Sequence, residues 1–255
     1  MQNISVNPAD PIHLFVRQIW VFEENDPDAQ ATLPFFADGH PGLIHQAIGN
    51  KLCVQPQNKQ MPVTFLYGQT LHPVTLHLTG AYKLIVLQLY PFVLHRLFGL
   101  DARALNNDCF DVLTVPSWQQ SADRLALHPD TEFALETFGS FLYSLFLDCN
   151  QKRDAQVGEA LKLILENNAR ITVSAICNRL HMTERTFERR FAKEVGISPK
   201  DFIQITRFQQ SLEQLSNKTY DRFTDIVYAN GFADQSHFIR VFKAFTGQTP
   251  SRFPV

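Results

Sequence analysis

The chain has 255 residues, room for about two domains of ~150 residues, and its 45% hydrophobic and 19% charged residues exclude a disordered chain. The formal charge of −2 hides an asymmetry: residues 1–150 carry 7 basic and 14 acidic side chains, residues 151–255 carry 16 and 11. An acidic front thus precedes a basic back, and the back alone suits a polyanionic partner.

The opening MQNISVNPADPIH has no basic region followed by an apolar run, so it is not read as a signal peptide. The densest apolar run, 141–147, falls far short of the ~18 residues of a membrane span. A cytoplasmic protein without a membrane partner is therefore expected. Cys53, Cys109, Cys149 and Cys177 form no CxxC pair, so neither a zinc ribbon nor a thioredoxin-like site is expected.

Residues 12 to about 90 read as strands. The stretches 12–22, 63–67, 74–78 and 82–90 are rich in β-branched and aromatic residues. Turn signals separate them: Asp38-Gly39 with Pro41-Gly42, then Gly68, Pro73 and Gly80. Strands this short and this regularly interrupted predict a barrel or sandwich. Residues 92–99 read as a short helix closed by Gly99. From Ser117 the period is helical, with helices over 117–127 and 130–149. The second is apolar on most sides (Phe133, Leu135, Phe138, Phe141, Leu142, Leu145, Phe146), so it is buried in a core or against a second copy. The polar run 150–154 reads as the junction between a front domain, 1–150, and a back domain, 151–255.

The front domain shows no catalytic constellation. Seven histidines lie there, His13, His40, His45, His72, His77, His95 and His128, yet no HxH pair offers a metal two ligands on one strand face. His72 and His77 are five apart and point to opposite faces of a strand. Glu23 and Glu24 diverge as strand neighbours and read as a solvated strand end. No cofactor, metal or catalytic residue is expected.

The back half is more specific. After a helix over 155–167, Thr172 can cap a first short helix ending near Leu180, and Thr183 a second that runs to Gly196. His181 lies at the turn, where left-handed backbone is needed. Two short helices joined by such a turn form a helix-turn-helix. In the second helix Phe187, Phe191 and Val195 make an inward stripe, while Arg185, Thr186, Arg189 and Lys193 face out. Arg185 and Arg189, four apart, repel unless an anion meets them; the phosphates and guanine edges of a major groove do so. The pattern recurs after a long helix over 200–216. A short helix over 224–231 precedes a second over 234–247, with Phe238, Phe242 and Phe245 inward and Ser236, Ile239, Arg240 and Lys243 outward. Both units end on a glycine, Gly196 and Gly247, followed by Ser198-Pro199 and Thr249-Pro250.

This duplicated pattern, with GFADQSHFIRVFKAFTGQTP at 231–250, closely resembles the DNA-binding domain of AraC/XylS-type transcription regulators over about 155–254. The front half resembles the β-rich sensor domain of a subgroup of them, in VRQIWVF at 16–22, DGHPGLI at 38–44, GQTLHPV at 68–74 and the strand running to Pro91. The resemblance implies an α+β chain of two domains: an N-terminal β-barrel or sandwich with trailing helices, and a C-terminal all-α double helix-turn-helix. It makes Arg185, Glu188 and Arg189 the base readers of the first unit, and Gln235, Ser236, Ile239 and Arg240 those of the second. Thr172, Thr183 and Thr224 then sit at helix starts that meet phosphates. The chain departs from the family pattern with Cys177 in place of Ala, His181 in place of Gly and Pro254 in place of a closing Arg.

The expected function is sequence-specific binding of double-stranded DNA, not catalysis. A small-molecule effector, a second copy of the chain and RNA polymerase are further candidate partners. Two alternatives stay open: a constitutive regulator whose front domain only dimerises, and an enzyme fused to a DNA-binding module.

Overall fold

The computed structural model describes residues 2–6, 10–49, 51–128, 130–149, 154–220 and 222–253. The expected junction at 150–154, apart from Asp154, and the departure at Pro254 lie outside the described residues.

Among the described residues ten strands form two antiparallel sheets: β1 (Gln2–Ile4), β2 (Val16–Glu24), β3 (Gln30–Phe35), β4 (Gly42–Ile48), β5 (Cys53–Gln55), β6 (Lys59–Gln60), β7 (Thr64–Tyr67), β8 (Val74–Thr79), β9 (Tyr82–Leu89) and β10 (Cys109–Asp111). The larger sheet runs β1-β2-β9-β4-β7-β10 and the smaller β3-β8-β5-β6. They stack as a sandwich and do not close into a barrel. Ile44, Phe65 and Val86 point between the sheets to meet Leu76 and Leu78 of β8. Their neighbours Leu43, Leu66, Ile85 and Leu87 point the other way, into a second core shared with helices. A sheet buried on both faces carries unbroken apolar runs, whereas β8, with one wet face, alternates.

The strand expected over 12–22 starts later. Asp10 accepts a hydrogen bond from the Ile12 backbone N–H at 2.9 Å, and Pro11 fixes its own φ, so residues 11–14 wind into a 3-10 turn. Gly42, expected as part of a turn, instead opens β4, the strand between β9 and β7.

The helices are α1 (Val93–Phe98), α2 (Gln119–Leu127), α3 (Thr131–Asp148), α4 (Ala155–Glu166), α5 (Val173–Arg179), α6 (Glu184–Val195), α7 (Pro199–Ser216), α8 (Phe223–Ala229) and α9 (Gln235–Thr246). Gly99 closes α1 in left-handed backbone, and Asp130 caps α3 by accepting from the Phe133 N–H. The apolar sides of α3 are largely covered within the chain. Phe138 stacks on Trp118 at 5.2 Å between ring centres, Phe141 lies at 4.7 Å from the same indole, and Phe146 meets Phe15 at 5.5 Å. Tyr143 and Leu147 stay exposed.

The two halves share a core. The loop between β3 and β4 reaches into the helices, where Ala37 is fully buried among Ile176, Phe187 and Ile205. Phe36 packs on Phe253 with ring centres 5.5 Å apart, and the Gln209 side-chain amide donates to the Ala37 carbonyl. Gly39 turns the loop at φ +77°; a Cβ there would stand 3.2 Å from the Phe202 ring.

Candidate nucleic-acid interface

The first helix-turn-helix is α5, a turn and α6. Thr172 Oγ1 accepts from the Ala175 N–H at 3.2 Å, and Thr183 Oγ1 from the Thr186 N–H at 3.3 Å. His181 sits between the helices at φ +52°, the left-handed backbone that the turn requires. In α6, Phe187 and Phe191 are fully buried and Val195 nearly so, which turns Arg185, Glu188, Arg189 and Lys193 to solvent. Thr186 is half-buried, its hydroxyl accepting from that of Thr183 at 3.0 Å. Arg190, one residue beyond Arg189, is turned inward. Its guanidinium spans Asp154 and Gln156 at the start of α4, with three contacts of 2.6 Å. Cys177 is buried in this unit's core.

The second unit is α8, a turn at Asn230 and Gly231, and α9. Thr224 is the second residue of α8; the helix start is held by the Asp225 carboxylate, which accepts from the Arg222 N–H at 2.8 Å. Asp234 caps α9 by accepting from the His237 N–H at 2.7 Å. Phe238 and Phe242 are fully buried, Phe245 packs on Phe208 at 5.1 Å, and Gln235, Ser236, Arg240 and Lys243 face solvent. Ile239, expected outward, is half-buried at the edge of this row.

The linker α7 fixes the two units against each other. Ser198 caps it and Pro199 opens it. Phe202, Ile203 and Ile205 belong to the first unit's core, Phe208 and Leu215 to the second's. Two arginines tie the units through backbone carbonyls: Arg207 Nε donates to Ala169 O at 2.8 Å and Arg170 Nε to Ala229 O at 2.9 Å. Each outward row is thus exposed on a helix whose other face is locked in aromatic packing.

Sequence reasoning did not reveal what the front domain adds. Its turn over 99–103 faces Arg189, Lys193 and Glu194 across a cleft of about 910 Å³. The end of α6 is held from the same side: the Asn106 side-chain amide donates to Gly196 O at 2.9 Å, and that of Gln69 to Val195 O at 3.2 Å. These carbonyls close the helix and have no partner within it. Isolated Asn and Gln residues carry no periodic signal, so the sequence pattern does not mark them.

The front domain also holds a cavity of about 320 Å³ between its sheets, walled by Phe35, Ile44, Met61, Phe65, Val74 and Leu76. Lys59 and Asp108, joined at 2.6 Å, belong to the same wall. The Tyr67 hydroxyl beside it is buried without a hydrogen-bond partner among the described residues. Near the domain contact, Asp38 accepts from Gln88 at 2.5 Å and from the His40 N–H at 2.9 Å. Burial pushes the Asp38 carboxyl up to about 6, against the pull of these hydrogen bonds. Burial, with the Arg17 charge adding to it, pushes His40 down to about 3. Among the described residues no group of three or more His, Cys, Asp or Glu side chains is placed to hold a metal ion, and no helix is long and apolar enough to cross a membrane.

Two capped helix pairs on one linker helix make the back half of the chain a double helix-turn-helix, the arrangement that its resemblance to the AraC/XylS-type DNA-binding domain implies. The helix-turn-helix domain family matches residues 176–254, and a domain of unknown function (DUF6597) matches residues 4–111. The chain is similar to the HTH-type transcriptional activator RhaS of Yersinia pestis, 30% identical over 118 residues, which are 44% of this chain and 43% of RhaS. It is also similar to an uncharacterized HTH-type transcriptional regulator of Staphylococcus aureus, 30% identical over 83 residues, 32% of this chain and 11% of that protein. The chain thus spans less than half the length of these curated relatives. Among solved structures, ToxT from Vibrio cholerae aligns with a TM-score of 0.49 at 15% identity, covering 92% of this chain and 96% of that one.

Proposed function

We propose that the protein is a sequence-specific, DNA-binding transcription regulator of the cytoplasm, with no catalytic activity of its own, in which residues 1–150 sense an effector and residues 151–255 bind DNA. The observation that carries this reading is the pair of outward rows on α6 and α9, each backed by a locked aromatic face. Arg185, Glu188 and Arg189 read bases in one major-groove segment; Gln235, Ser236, Ile239 and Arg240 read the next. Thr172, Thr183, Thr186, Lys193, Thr224 and Lys243 serve the phosphates flanking them. The helix-turn-helix match and the regulator relatives support the same reading. The inter-sheet cavity supports effector sensing over a front domain that only dimerises, since its size falls at the low end of small-molecule sites. RNA polymerase and a second copy of the chain complete the partners of this reading; exposed Tyr143 and Leu147 on α3 are what a second copy would cover.

The test is selection of bound sequences from random duplex DNA by the full chain. The expected result is a site with two short conserved blocks about one helical turn apart. Arg189→Ala relaxes one block and Arg240→Ala the other. Recovery of unselected DNA would overturn the reading.

A further inference from the structure

Resting on the effector reading of the front domain, we infer that the inter-sheet cavity takes an uncharged, largely apolar molecule, and that its occupancy is carried to the end of α6 by segments 68–72 and 105–109.

The ligand class follows from the wall. Most of it is aliphatic and aromatic, and its volume of about 320 Å³ holds a molecule of two fused rings with a small substituent. Among the described lining residues the charges are Lys59 and Asp108, and they neutralise each other at 2.6 Å. An anionic ligand would have to take Lys59 from Asp108 and leave that carboxylate unpaired against it. A cationic ligand faces the converse. Both side chains are about half exposed, 47% and 55%, so the exchange itself changes little; what opposes a charged ligand is the loss of its own hydration against a wall that is otherwise without charge. An uncharged molecule leaves the pair intact and replaces water against Phe35, Phe65 and Leu76.

The route to α6 is set by two segments that alternate between the two sites. Asn107, Asp108 and Cys109 wall the cavity, and the preceding residue, Asn106, holds Gly196 O. Gly68 and Thr70 wall it too, and the residue between them, Gln69, holds Val195 O. The segments are bonded to each other: Asn107 N–H donates to Gln69 O at 2.9 Å, Leu71 N–H to Asn107 Oδ1 at 2.7 Å, and Gly68 N–H to Asp108 O at 3.3 Å. There is no slack along this route. A Cβ on Gly68 would meet Leu105 O at 2.2 Å, and one on Gly196 would meet Ala102 O at 2.8 Å. Close-packed groups transmit displacement instead of absorbing it. A wall that moves to admit a ligand therefore moves Asn106 and Gln69, and with them the end of the helix that carries Arg185 and Arg189.

The test uses two probes that differ by one sulfonate, N-phenyl-1-naphthylamine and 8-anilino-1-naphthalenesulfonate, titrated by fluorescence into the full chain. The neutral probe is expected to bind once per chain and at least tenfold more tightly than the anionic one. Val54→Phe and Val74→Phe, which fill the cavity from its half-buried rim, each weaken it tenfold or more while circular dichroism stays unchanged. Hydrogen exchange of the amides at 193–198 is expected to change at least twofold when the neutral probe binds. Asn106→Ala keeps the probe affinity within twofold and at least halves that response, the Gln69 bond remaining. Absence of neutral-probe binding, or binding that neither filled variant weakens, overturns the site. Equal or tighter binding of the sulfonate overturns the ligand class. An exchange response that is absent, or that is undiminished in Asn106→Ala, overturns the route. A chain that passes all of these and binds no duplex DNA would refute the regulator reading and leave the cavity assignment standing.

Discussion

Arg190 and Asp154 form a two-point ion pair, with Nε to Oδ2 and Nη2 to Oδ1 each at 2.6 Å. Asp154 also caps α4 by accepting from the Gln156 and Val157 N–H groups. One carboxylate thus joins the start of α4 to α6. Burial pushes this carboxyl up, but Arg190 and the cap hydrogen bonds outweigh it and hold it below the ordinary value. Asp154→Ala is expected to cost about 2–3 kcal/mol in chemical denaturation, the sum of a lost cap and a lost charged hydrogen-bond pair. The folded carboxyl is the stronger acid, so this stabilisation is present above about pH 4 and is lost as pH falls below it. A cost under about 0.5 kcal/mol, the range of an ordinary surface change, would show that the pair contributes nothing.

On the proposed reading, the exposed row of α6 divides into base readers and phosphate anchors. Arg189→Ala is expected to lose about 1–3 kcal/mol at one preferred base pair and far less on other DNA. Lys193→Ala should weaken all sequences alike and reduce the slope of log K against log salt by about one. Competition titrations with the full chain at several salt concentrations separate the two. Equal loss on every sequence for Arg189→Ala would make it a phosphate contact.

Acid should loosen the front domain before it loosens the back. Burial pushes His40 down to about 3 and His45 down to about 4. Both stay neutral in the folded protein while their unfolded counterparts take a proton. Stability is therefore full above about pH 6.5 and is lost as pH falls through that value, by about 2 kcal/mol per histidine at pH 5. Asp38 opposes this: with its carboxyl pushed up to about 6, it gains a proton in the folded state first and returns about 1 kcal/mol over the same interval. The net loss between pH 7 and pH 5 should shrink by about half its histidine share in His45→Asn, which can keep the hydrogen bond to Thr64 that His45 makes at 2.8 Å. Identical pH profiles for the variant and the parent protein would clear His45 of this role.

Phe141 and Leu147 lie on the same helix with opposite expectations. Phe141, buried against Trp118, should cost about 3–5 kcal/mol when cut to alanine. Leu147, 67% exposed, should change stability by less than about 0.5 kcal/mol when replaced by glutamate. If a second copy covers this end of α3, Leu147→Glu will lower the molecular mass in light scattering and leave the fold intact. A mass that stays that of one chain before and after the substitution removes α3 as a pairing surface.

The helix-turn-helix units were legible because they rest on local signals. Thr172, Thr183 and Asp234 cap their helices from within three residues, His181 marks its turn by its own backbone preference, and the Phe stripes repeat at helical spacing. The sandwich was legible as strands but not as sheets. β4 is buried on both faces and shows no alternation, and its opening Gly42 reads as a turn. The contacts between the halves left no trace in the pattern. Ala37, Gln69 and Asn106 act through neighbours ninety or more residues away, and nothing within a window of ten or twenty residues distinguishes them from loop residues. The cavity was hidden for the same reason, since its wall is gathered from both sheets and the loop before β10.

Ala37 has no accessible surface and packs among the helices of the back half, with Phe36 beside it on Phe253. The front half therefore completes the interior of the helix-turn-helix half. Regulators built from separable parts can be diversified by exchanging one part for another. Here an exchanged front half would need to supply its own small apolar plug in register with α7, so this pair is expected to be inherited as a unit and to resist recombination at the junction.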